Sequence, residues 1–255
     1  MTGATKGIGR VTAAFLAAEG AKVVITGRTV KRGEEVVANI TAAGGEAMFI
    51  AADVGSEQST KSVIAQTVAA YGSLTTVVNN AAPTDLLQKG DLIGDTELDH
   101  WDAVLRGTLT GAMLMSKYAI PHLTAAGGGT IINISSDAGA RATIGMAAYC
   151  ASKAAMNSLT RSLSVEYAPA NIRANSIQVG QILPPAAIGM VSNHPVMGPK
   201  LAAAHRLRLG QREDIAAAVV YLASDEASFV SGVTLPVDGG ASVMTNLLAM
   251  ELFGG

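Results

Sequence analysis

Near its amino end the chain reads GATKGIG at residues 3–9, so that Gly3, Gly7 and Gly9 follow the spacing G-x-x-x-G-x-G. Glycines let a backbone approach a pyrophosphate closely, and a helix beginning there directs free N–H groups at the negative charge. The loop is not a P-loop of the Walker type, because Lys6 is followed by glycine. We therefore predict a dinucleotide site here. The alternative is an ordinary glycine turn in a chain with 28 glycines.

Outward from this loop, short apolar runs alternate with segments of helical period. Strands are predicted at residues 22–26, 46–51, 74–79, 129–135, 172–177 and 233–237. Helices are predicted at residues 8–19, 30–43, 57–70, 98–125, 146–168 and 212–224. This alternation predicts an α/β fold in which a doubly wound parallel sheet lies between two layers of helices. No linker divides the chain, so we expect a single domain over residues 1–255.

The first strand of such a fold is missing from this pattern. A dinucleotide-binding loop normally follows a strand, and here only Met1 and Thr2 precede Gly3. The first strand is central in a doubly wound sheet, so its loss would leave backbone groups of two neighbours unpaired, at about 1–3 kcal/mol for each buried group. Either the chain as given starts late, or another segment occupies that position.

The composition excludes several classes of protein. Of 255 residues, 49% are hydrophobic and 15% charged, which rules out intrinsic disorder. A mean hydropathy of +0.34 favours a sheet covered on both faces. The net charge of −2, without a basic block, argues against nucleic acid and against an anionic membrane as partners.

The same composition bears on location and on metals. Residues 174–199 form a long uncharged stretch, but four prolines lie in it, so we expect a loop there and no membrane span. The amino end lacks the apolar core of a signal peptide, and the single Cys150 cannot form an internal disulfide, so the expected location is cytoplasmic. The 4 histidines lie far apart in the sequence, and we predict no metal site.

The end of the strand at residues 22–26 bears on cofactor choice. About twenty residues after the glycine loop, an acidic side chain would bind a ribose 2′-hydroxyl, but the chain has Thr26, Gly27 and Arg28 there. Arg28 and Lys6 would both favour a 2′-phosphate, which Arg28 could bind in a bidentate manner. We predict that NADP(H) is preferred over NAD(H). The alternative is that Arg28 is an ordinary solvated side chain.

Three polar residues later in the chain are candidates for catalysis. Tyr149 and Lys153 lie four positions apart in a predicted helix and therefore share one face. A phenol has an ordinary pKa of about 10, and a nearby ammonium is expected to lower it. Ser136 follows a predicted strand, at the sheet edge where ligands of α/β proteins bind. Its hydroxyl could bond a substrate carbonyl or simply cap a turn.

Together these segments resemble the short-chain dehydrogenases/reductases. The resemblance rests on six motifs in family order, at residues 2–9 (TGATKGIG), 53–54 (DV), 79–82 (NNAA), 134–136 (ISS), 149–153 (YCASK) and 235–240 (LPVDGG). It covers almost the whole chain except the first strand. It implies a Rossmann-like domain, NAD(P)-dependent oxidoreduction of a carbonyl or alcohol, and a homo-oligomer, either a tetramer or a dimer.

The resemblance also implies roles for individual residues. Tyr149 would be the general acid/base, Lys153 would bind the nicotinamide ribose and lower the pKa of the tyrosine, and Ser136 would polarise the carbonyl. The cofactor would contact Gly3, Thr5, Lys6, Gly7, Ile8, Gly9, Arg28, Asp53, Val54, Asn80, Ala81, Ala82, Tyr149, Lys153 and Ile182. Independently of the resemblance, residues 181–209 are long for a connection, and long connections often form lids over active sites, so we predict a substrate segment there. Its apolar content suggests an apolar substrate.

Several positions depart from the family pattern. Thr108 stands where the family has a fourth catalytic residue, an asparagine, and Ala82, Val179 and Pro184 replace other usual residues. Three hypotheses follow. The first is an NADP-dependent oxidoreductase, the second a catalytically impaired dinucleotide-binding protein of the same fold, and the third an interaction protein that binds no nucleotide.

Overall fold

The computed structural model describes residues 1–88, 90–183, 185–204 and 207–243. In chain order the elements are α1 (Gly7–Ala18), β1 (Lys22–Gly27), α2 (Val30–Ala42), β2 (Glu46–Ala51), α3 (Glu57–Tyr71), β3 (Thr76–Asn79), α4 (Leu98–Leu105), α5 (Gly111–Ala125), β4 (Gly129–Ile134), α6 (Ala147–Glu166), β5 (Ile172–Val179), α7 (Pro185–Ser192), α8 (Met197–Ala204), α9 (Arg212–Ala223) and β6 (Thr234–Val237). This alternation confirms the predicted α/β fold.

The strands are parallel and form two hydrogen-bonded groups. β1 pairs with β2, and β3, β4, β5 and β6 pair in that order. The first residues of the chain join the two groups: Thr26 donates its N–H to the carbonyl of Met1 at 3.0 Å, and Thr2 donates to the carbonyl of Val78 at 2.9 Å. Within the described ranges, no other segment pairs between β1 and β3, so Met1 and Thr2 occupy part of the position expected for the first strand.

Alternate residues of the central strands face two separate apolar layers. On β4, Ile132 packs with α1 and α9, through residues such as Leu16 and Val219. Its neighbour Ile131 points the other way, toward α3, α5 and α6. A side-chain period of two places apolar residues on both faces of a parallel sheet. The result is the predicted three-layer arrangement, in which each fully buried aliphatic side chain contributes about 1.5–3 kcal/mol.

A buried polar network fixes β3, β4 and α6 relative to one another. Asn79 and Asn133 are register partners on adjacent strands, and the Asn79 side-chain amide donates to Asn133 Oδ1 at 2.9 Å. The amide of Asn133 donates in turn to Thr160 Oγ1 on α6 at 2.8 Å. Buried polar groups are costly when unpaired, so this chain of bonds favours a single packing of α6 against the sheet.

Two sequence predictions need correction. The predicted helix at 98–125 is divided into α4 and α5 by a π-helical turn at Arg106–Thr110, the kind of bulge often found at functional sites. The uncharged stretch 174–199 is not a loop, because β5, α7 and the start of α8 lie in it. Proline is compatible with the first turn of a helix, and Pro185 and Pro199 stand there in α7 and α8. Pro184, which replaces a residue usual in the family, lies outside the described residues.

Across the described ranges, none of the helices combines the length and apolarity that a membrane crossing requires.

Candidate active site

A cleft of about 510 Å³ opens at the carboxyl ends of the strands. Its wall contains each cofactor residue that the sequence predicted, namely Gly3, Thr5, Lys6, Gly7, Ile8, Gly9, Arg28, Asp53, Val54, Asn80, Ala81, Ala82, Tyr149, Lys153 and Ile182. Ser136 lies in the same wall. Residues from both ends of the chain meet here because parallel strands bring all their carboxyl ends to one edge.

The glycine loop has the backbone geometry that a phosphate requires. Gly3 and Gly7 adopt φ angles of +61° and +59°, which side chains disfavour. A Cβ built on Gly7 would meet no protein atom within 4 Å, so the loop is open on that side. Helix α1 begins at Gly7, and its N-cap residue Lys6 makes no side-chain capping bond. The first-turn N–H groups are therefore available to a pyrophosphate, and the loop fits a dinucleotide.

Asn80 holds the glycine loop in place. Its side-chain amide donates to the carbonyls of Thr2 and Gly3, at 3.0 Å each. The hydroxyl of Thr2 accepts the backbone N–H groups of Asn80 and Ala81 at 3.0 and 3.1 Å. Sequence reasoning assigned Asn80 to the groove and missed Thr2, although the TGA run of the first motif contained it. The loop and the end of β3 are thus tied together by side-chain to backbone bonds.

One end of the cleft is rich in charge. Lys6 and Arg28 lie there as predicted, and Arg32 joins them from α2. The guanidinium of Arg28 lies 3.4 Å from Asp85, and the amine of Lys6 donates to Thr84 Oγ1 at 3.0 Å. Arg32, Thr84 and Asp85 were missed from the sequence. Arg32 carried a signal, since it stands four residues after Arg28, but nothing in the spacing indicated the other two.

Asp53 follows β2 and stabilises its own turn. Its Oδ1 accepts the N–H of Gly55 at 2.9 Å, and its backbone N–H donates to Ser59 Oγ at 3.1 Å. The side chain is therefore fixed by local bonds at the cleft wall. Val54 lies beside it and packs against Gly111, where a Cβ would approach Val54 Cγ2 to 2.8 Å.

The three predicted catalytic side chains converge. Ser136 follows β4, while Tyr149 and Lys153 lie one turn apart on α6. All three line the cleft, Ser136 acts to lower the pKa of Tyr149, and the amine of Lys153 lies 5.5 Å from the centroid of the Tyr149 ring. Gly139 permits the close approach of this loop to α6, because a Cβ there would come within 3.0 Å of the Lys153 carbonyl oxygen.

Burial sets the protonation of both titratable groups. Lys153 is 2% exposed, and its amine donates to the carbonyl of Ile134. Burial disfavours the ammonium and lowers the pKa of Lys153 to about 7. Burial also raises the pKa of Tyr149, and the Ser136 hydroxyl opposes this shift by acting to lower the pKa. The sequence predicted a lowered pKa for the tyrosine from an adjacent ammonium. In the protein alone the direction is upward, because desolvation opposes phenolate.

Ser136 caps a turn, which is one of the two tasks considered for it. Its hydroxyl donates to Asp137 Oδ1 at 3.0 Å and accepts the N–H of Ala138 at 3.2 Å, so it caps the short turn at Asp137–Gly139. The same hydroxyl faces the cleft that Tyr149 lines, and it acts to lower the pKa of the Tyr149 phenol. A carbonyl oxygen that binds between these two hydroxyls could accept a hydrogen bond from each.

Thr108, the replacement for the family asparagine, lies behind the cleft wall. It is 1% exposed in the π-helical turn, and Gly107 lines the cleft beside it. Within the described residues its hydroxyl has no hydrogen-bond partner. A buried hydroxyl of this kind is a common position for an ordered water.

The predicted substrate segment begins at the edge of the cleft. Ile182 lines the cleft and pairs with Gly210 by an isolated parallel bridge. The segment after it exposes apolar side chains, among them Ile188 and Met190. The described ranges contain no cluster of three His, Cys, Asp or Glu side chains that could hold a metal ion.

Comparison with known proteins defines the class. The family model described as enoyl-(acyl carrier protein) reductase matches residues 3–242. The chain belongs to the short-chain dehydrogenase/reductase family and is a hydride-transfer oxidoreductase, in a family whose members use nicotinamide cofactors.

Among its relatives, 2,5-dichloro-2,5-cyclohexadiene-1,4-diol dehydrogenase LinX of Sphingobium indicum is 37% identical over 250 residues, which is 95% of each chain. The 7alpha-hydroxysteroid dehydrogenase of Clostridium sardiniense is 37% identical over 96% of this chain and 93% of its own. Cis-4-hydroxycyclohexanecarboxylate dehydrogenase of Sinomonas cyclohexanicum is 36% identical over 94% of each.

A solved structure shares the fold over nearly its whole length. A protein from Sinorhizobium meliloti 1021, assigned as a short-chain alcohol dehydrogenase, superposes with a TM-score of 0.87 at 31% identity, and the match covers 96% of this chain and 95% of that one.

Proposed function

We propose that this protein is an NADP-dependent oxidoreductase that interconverts a carbonyl and a secondary alcohol, with Tyr149 as the general acid/base. The observation that carries the proposal is the convergence of Ser136, Tyr149 and Lys153 in the cleft that also contains the glycine loop. A bound nicotinamide cofactor would supply or accept the hydride in this cleft.

Each of the three side chains has a task in that reaction. In reduction, the phenol of Tyr149 gives its proton to the carbonyl oxygen as negative charge develops there. The Ser136 hydroxyl donates a hydrogen bond to the same oxygen and stabilises that charge. In oxidation, the same groups act in reverse, and Tyr149 takes the proton of the alcohol.

In this proposal Lys153 returns the proton to Tyr149. With a pKa of about 7, its amine can hold and release a proton near neutral pH. It lies beside the tyrosine ring and is screened from bulk solvent. The unpartnered hydroxyl of Thr108, in the π-helical turn, would hold a water with a geometry different from that of an asparagine.

The test of the catalytic assignment is Tyr149→Phe, which removes one oxygen and keeps the ring. We expect turnover to fall by a factor of about 10²–10⁴ or more, because no general acid remains. Binding of NADPH, followed by its fluorescence, should be retained, because most of the predicted cofactor contacts stay in place. Tyr71→Phe is the matched control, since Tyr71 ends α3 and does not line the cleft. Unaltered turnover in the Tyr149 variant would reject the role.

The preference for NADP(H) is supported by three cations at one end of the cleft, Lys6, Arg28 and Arg32, and by the lack of an acid at the end of β1. We expect Arg28→Asp to weaken NADP(H) binding much more than NAD(H) binding, because it replaces an attraction to the 2′-phosphate by a repulsion. Equal losses for the two dinucleotides, measured by titration, would contradict the preference.

The substrate proposed is an alcohol on an aliphatic ring, or the matching cyclic ketone. Three relatives bear the names of dehydrogenases of a cyclohexadienediol, a hydroxysteroid and a hydroxycyclohexanecarboxylate. Ile182 lines the cleft, and the apolar character of the segment that follows it supports an apolar substrate. A screen of cyclic and open-chain ketones with NADPH tests this, and a preference for the open-chain compounds would refute it.

A catalytically impaired dinucleotide-binding protein is the second candidate, and the substitution at Thr108 favours it. Dinucleotide binding without turnover across the ketone screen would support that candidate. The third hypothesis, a protein that binds no nucleotide, is set aside because the chain belongs to a family of oxidoreductases.

We also propose that the protein forms a homo-oligomer, a dimer or a tetramer, in the cytoplasm. Large apolar side chains on its surface support self-association: Phe229 is fully exposed and Val165 is 76% exposed. The lone Cys150 suits a reducing compartment.

A further inference from the structure

A carboxylate faces Arg28 at the charged end of the cleft. Arg28 directly follows β1, and Asp85 lies in the loop that follows β3. Both carboxylate oxygens of Asp85 lie 3.4 Å from Nη2 of Arg28, and both residues line the cleft. The sequence has no acid at the end of β1, but the fold brings the carboxylate of Asp85 to that position from the loop after β3.

The ion pair is loose enough to open for a ligand. Charge-assisted bonds between guanidinium and carboxylate are typically about 2.7–2.9 Å long, so 3.4 Å is a weak contact. The two side chains are 65% and 58% exposed, and solvated pairs of this kind contribute only about 0–1 kcal/mol. The same loop is attached to the glycine loop through the bond from Lys6 to Thr84, which keeps Asp85 on the cleft side.

We propose that Asp85 is a specificity-determining residue that moderates the preference for NADP(H) and lets the protein bind NAD(H) as well. A 2′-phosphate and the Asp85 carboxylate compete for the same guanidinium, and they repel each other. A free ribose 2′-hydroxyl, in contrast, can donate to the carboxylate while Arg28 stays paired. This inference rests on the proposed function, because it assumes that the cleft holds a nicotinamide dinucleotide.

The protonation of Asp85 agrees with this geometry. A bond to its own backbone N–H, together with the positive charges of Arg28 and Lys6, lowers the pKa of the carboxyl. Asp85 therefore carries its charge at neutral pH, where the dinucleotides would bind.

The experiment compares Asp85→Asn with wild-type protein by titration of the full chain with NADPH and with NADH. We expect NADPH to bind about tenfold more tightly to the variant, mainly because Asp85 no longer competes with the 2′-phosphate for the guanidinium of Arg28. NADH should bind about threefold more weakly, from the loss of a charged acceptor. Asp95→Asn removes the same charge from the turn Ile93–Asp95, which does not line the cleft, and should change neither affinity.

A second comparison separates competition for Arg28 from a general charge effect. In an Arg28→Gln background, Asp85→Asn should tighten NADPH binding much less than it does with Arg28 present. A wild-type protein that binds neither dinucleotide would overturn the proposed function and this inference with it. If both bind but Asp85→Asn shifts their ratio no more than Asp95→Asn, the proposed function stands and this inference alone is wrong.

Discussion

The side-chain amine of Lys153 is buried in the protein interior. Its stem and amine are enclosed by the end of β4 and by α6, and the amine is bonded to a single carbonyl and close to the sulfur of Met156. Burial of this kind costs stability, because the charged form loses its hydration. A cost of this kind commonly persists at a functional site, where a lysine with a pKa of about 7 is useful in proton transfer.

That cost predicts a pH dependence of stability. The pKa of Lys153 is about 7 in the folded chain and about 10.4 in an unfolded one. Between these values the unfolded chain keeps a proton that the native chain has released, so this group makes the free energy of unfolding rise with pH, by up to about 1.4 kcal/mol per pH unit. Lys153→Met removes the titration. We expect the stability advantage of the variant over the wild type to be larger at pH 7 than at pH 10.

Urea unfolding of wild type and Lys153→Met measures this difference directly. The measurements are made near neutral pH, at about pH 8.5 and at about pH 10. Lys61→Met serves as the control, because it removes an exposed amine from α3. A gap between wild type and Lys153→Met that stays constant over this range would show that the burial of Lys153 does not control its protonation.

Among the elements, the glycine loop and the first turn of α1 do most to shape the cleft. The loop is closely packed at Gly9 and open at Gly7. A Cβ on Gly9 would lie 2.5 Å from the carbonyl oxygen of Gly3 and 2.6 Å from the side-chain nitrogen of Asn80. Gly7, at the start of the same helix, meets nothing within 4 Å. One glycine therefore permits close packing of the loop on β3, and the other leaves room for a ligand.

Gly9→Ala tests this division of tasks. The added methyl group must displace either the Gly3 carbonyl or the Asn80 amide, and both shape the loop. We expect dinucleotide binding to weaken at least about tenfold and the free energy of unfolding to fall by about 1–3 kcal/mol. Gly94→Ala is the control, since a Cβ there would meet no atom within 4 Å. Wild-type affinity in the Gly9 variant would mean that the loop adapts to the methyl group at little cost.

The π-helical turn is the second element that matters for the site. Without it α4 and α5 would form one continuous helix, and the residues after the turn would face different neighbours. The extra residue lets Gly107 line the cleft while Thr108 points into the interior. Gly111 then packs on Val54 beneath the cleft, which ties the turn to the loop after β2.

At the scale of the whole molecule, several large apolar side chains are exposed in the isolated chain. Phe229 follows the short turn at Asp225–Ala227 after α9, and its ring is fully in solvent in the isolated chain. Leaving such a ring exposed forgoes about 1.5–3 kcal/mol of burial. In the homo-oligomer proposed above, an interface between copies of the chain would bury this ring.

Phe229→Glu is expected to shift the protein toward smaller species, because a charge would be placed in the interface and the ring would be lost. Sedimentation velocity at several protein concentrations measures the shift. Gln66→Glu, which adds the same charge on the exposed face of α3, should leave the distribution of species unchanged. If wild type and the Phe229 variant sediment alike at each concentration, Phe229 does not contribute to self-association.

Local patterns were sufficient for much of this description. The alternation of strands and helices predicted the three-layer α/β fold, because side-chain periods of two and 3.6 are properties of short segments. The four-residue separation of Tyr149 and Lys153 placed both on one helix face, and the glycine spacing located the loop. Each of these signals lies within a few consecutive residues, where backbone geometry translates spacing directly into position.

The tertiary structure alone decided the rest. The pairing of Asp85 with Arg28 joins residues 57 positions apart. The π-helical turn that buries Thr108 interrupts a segment whose helical period continues through it. The direction of the Tyr149 pKa shift depends on how completely packing removes water from the ring. Distances between remote segments and the extent of burial arise only when the whole chain has packed, because they depend on contacts that no local spacing contains.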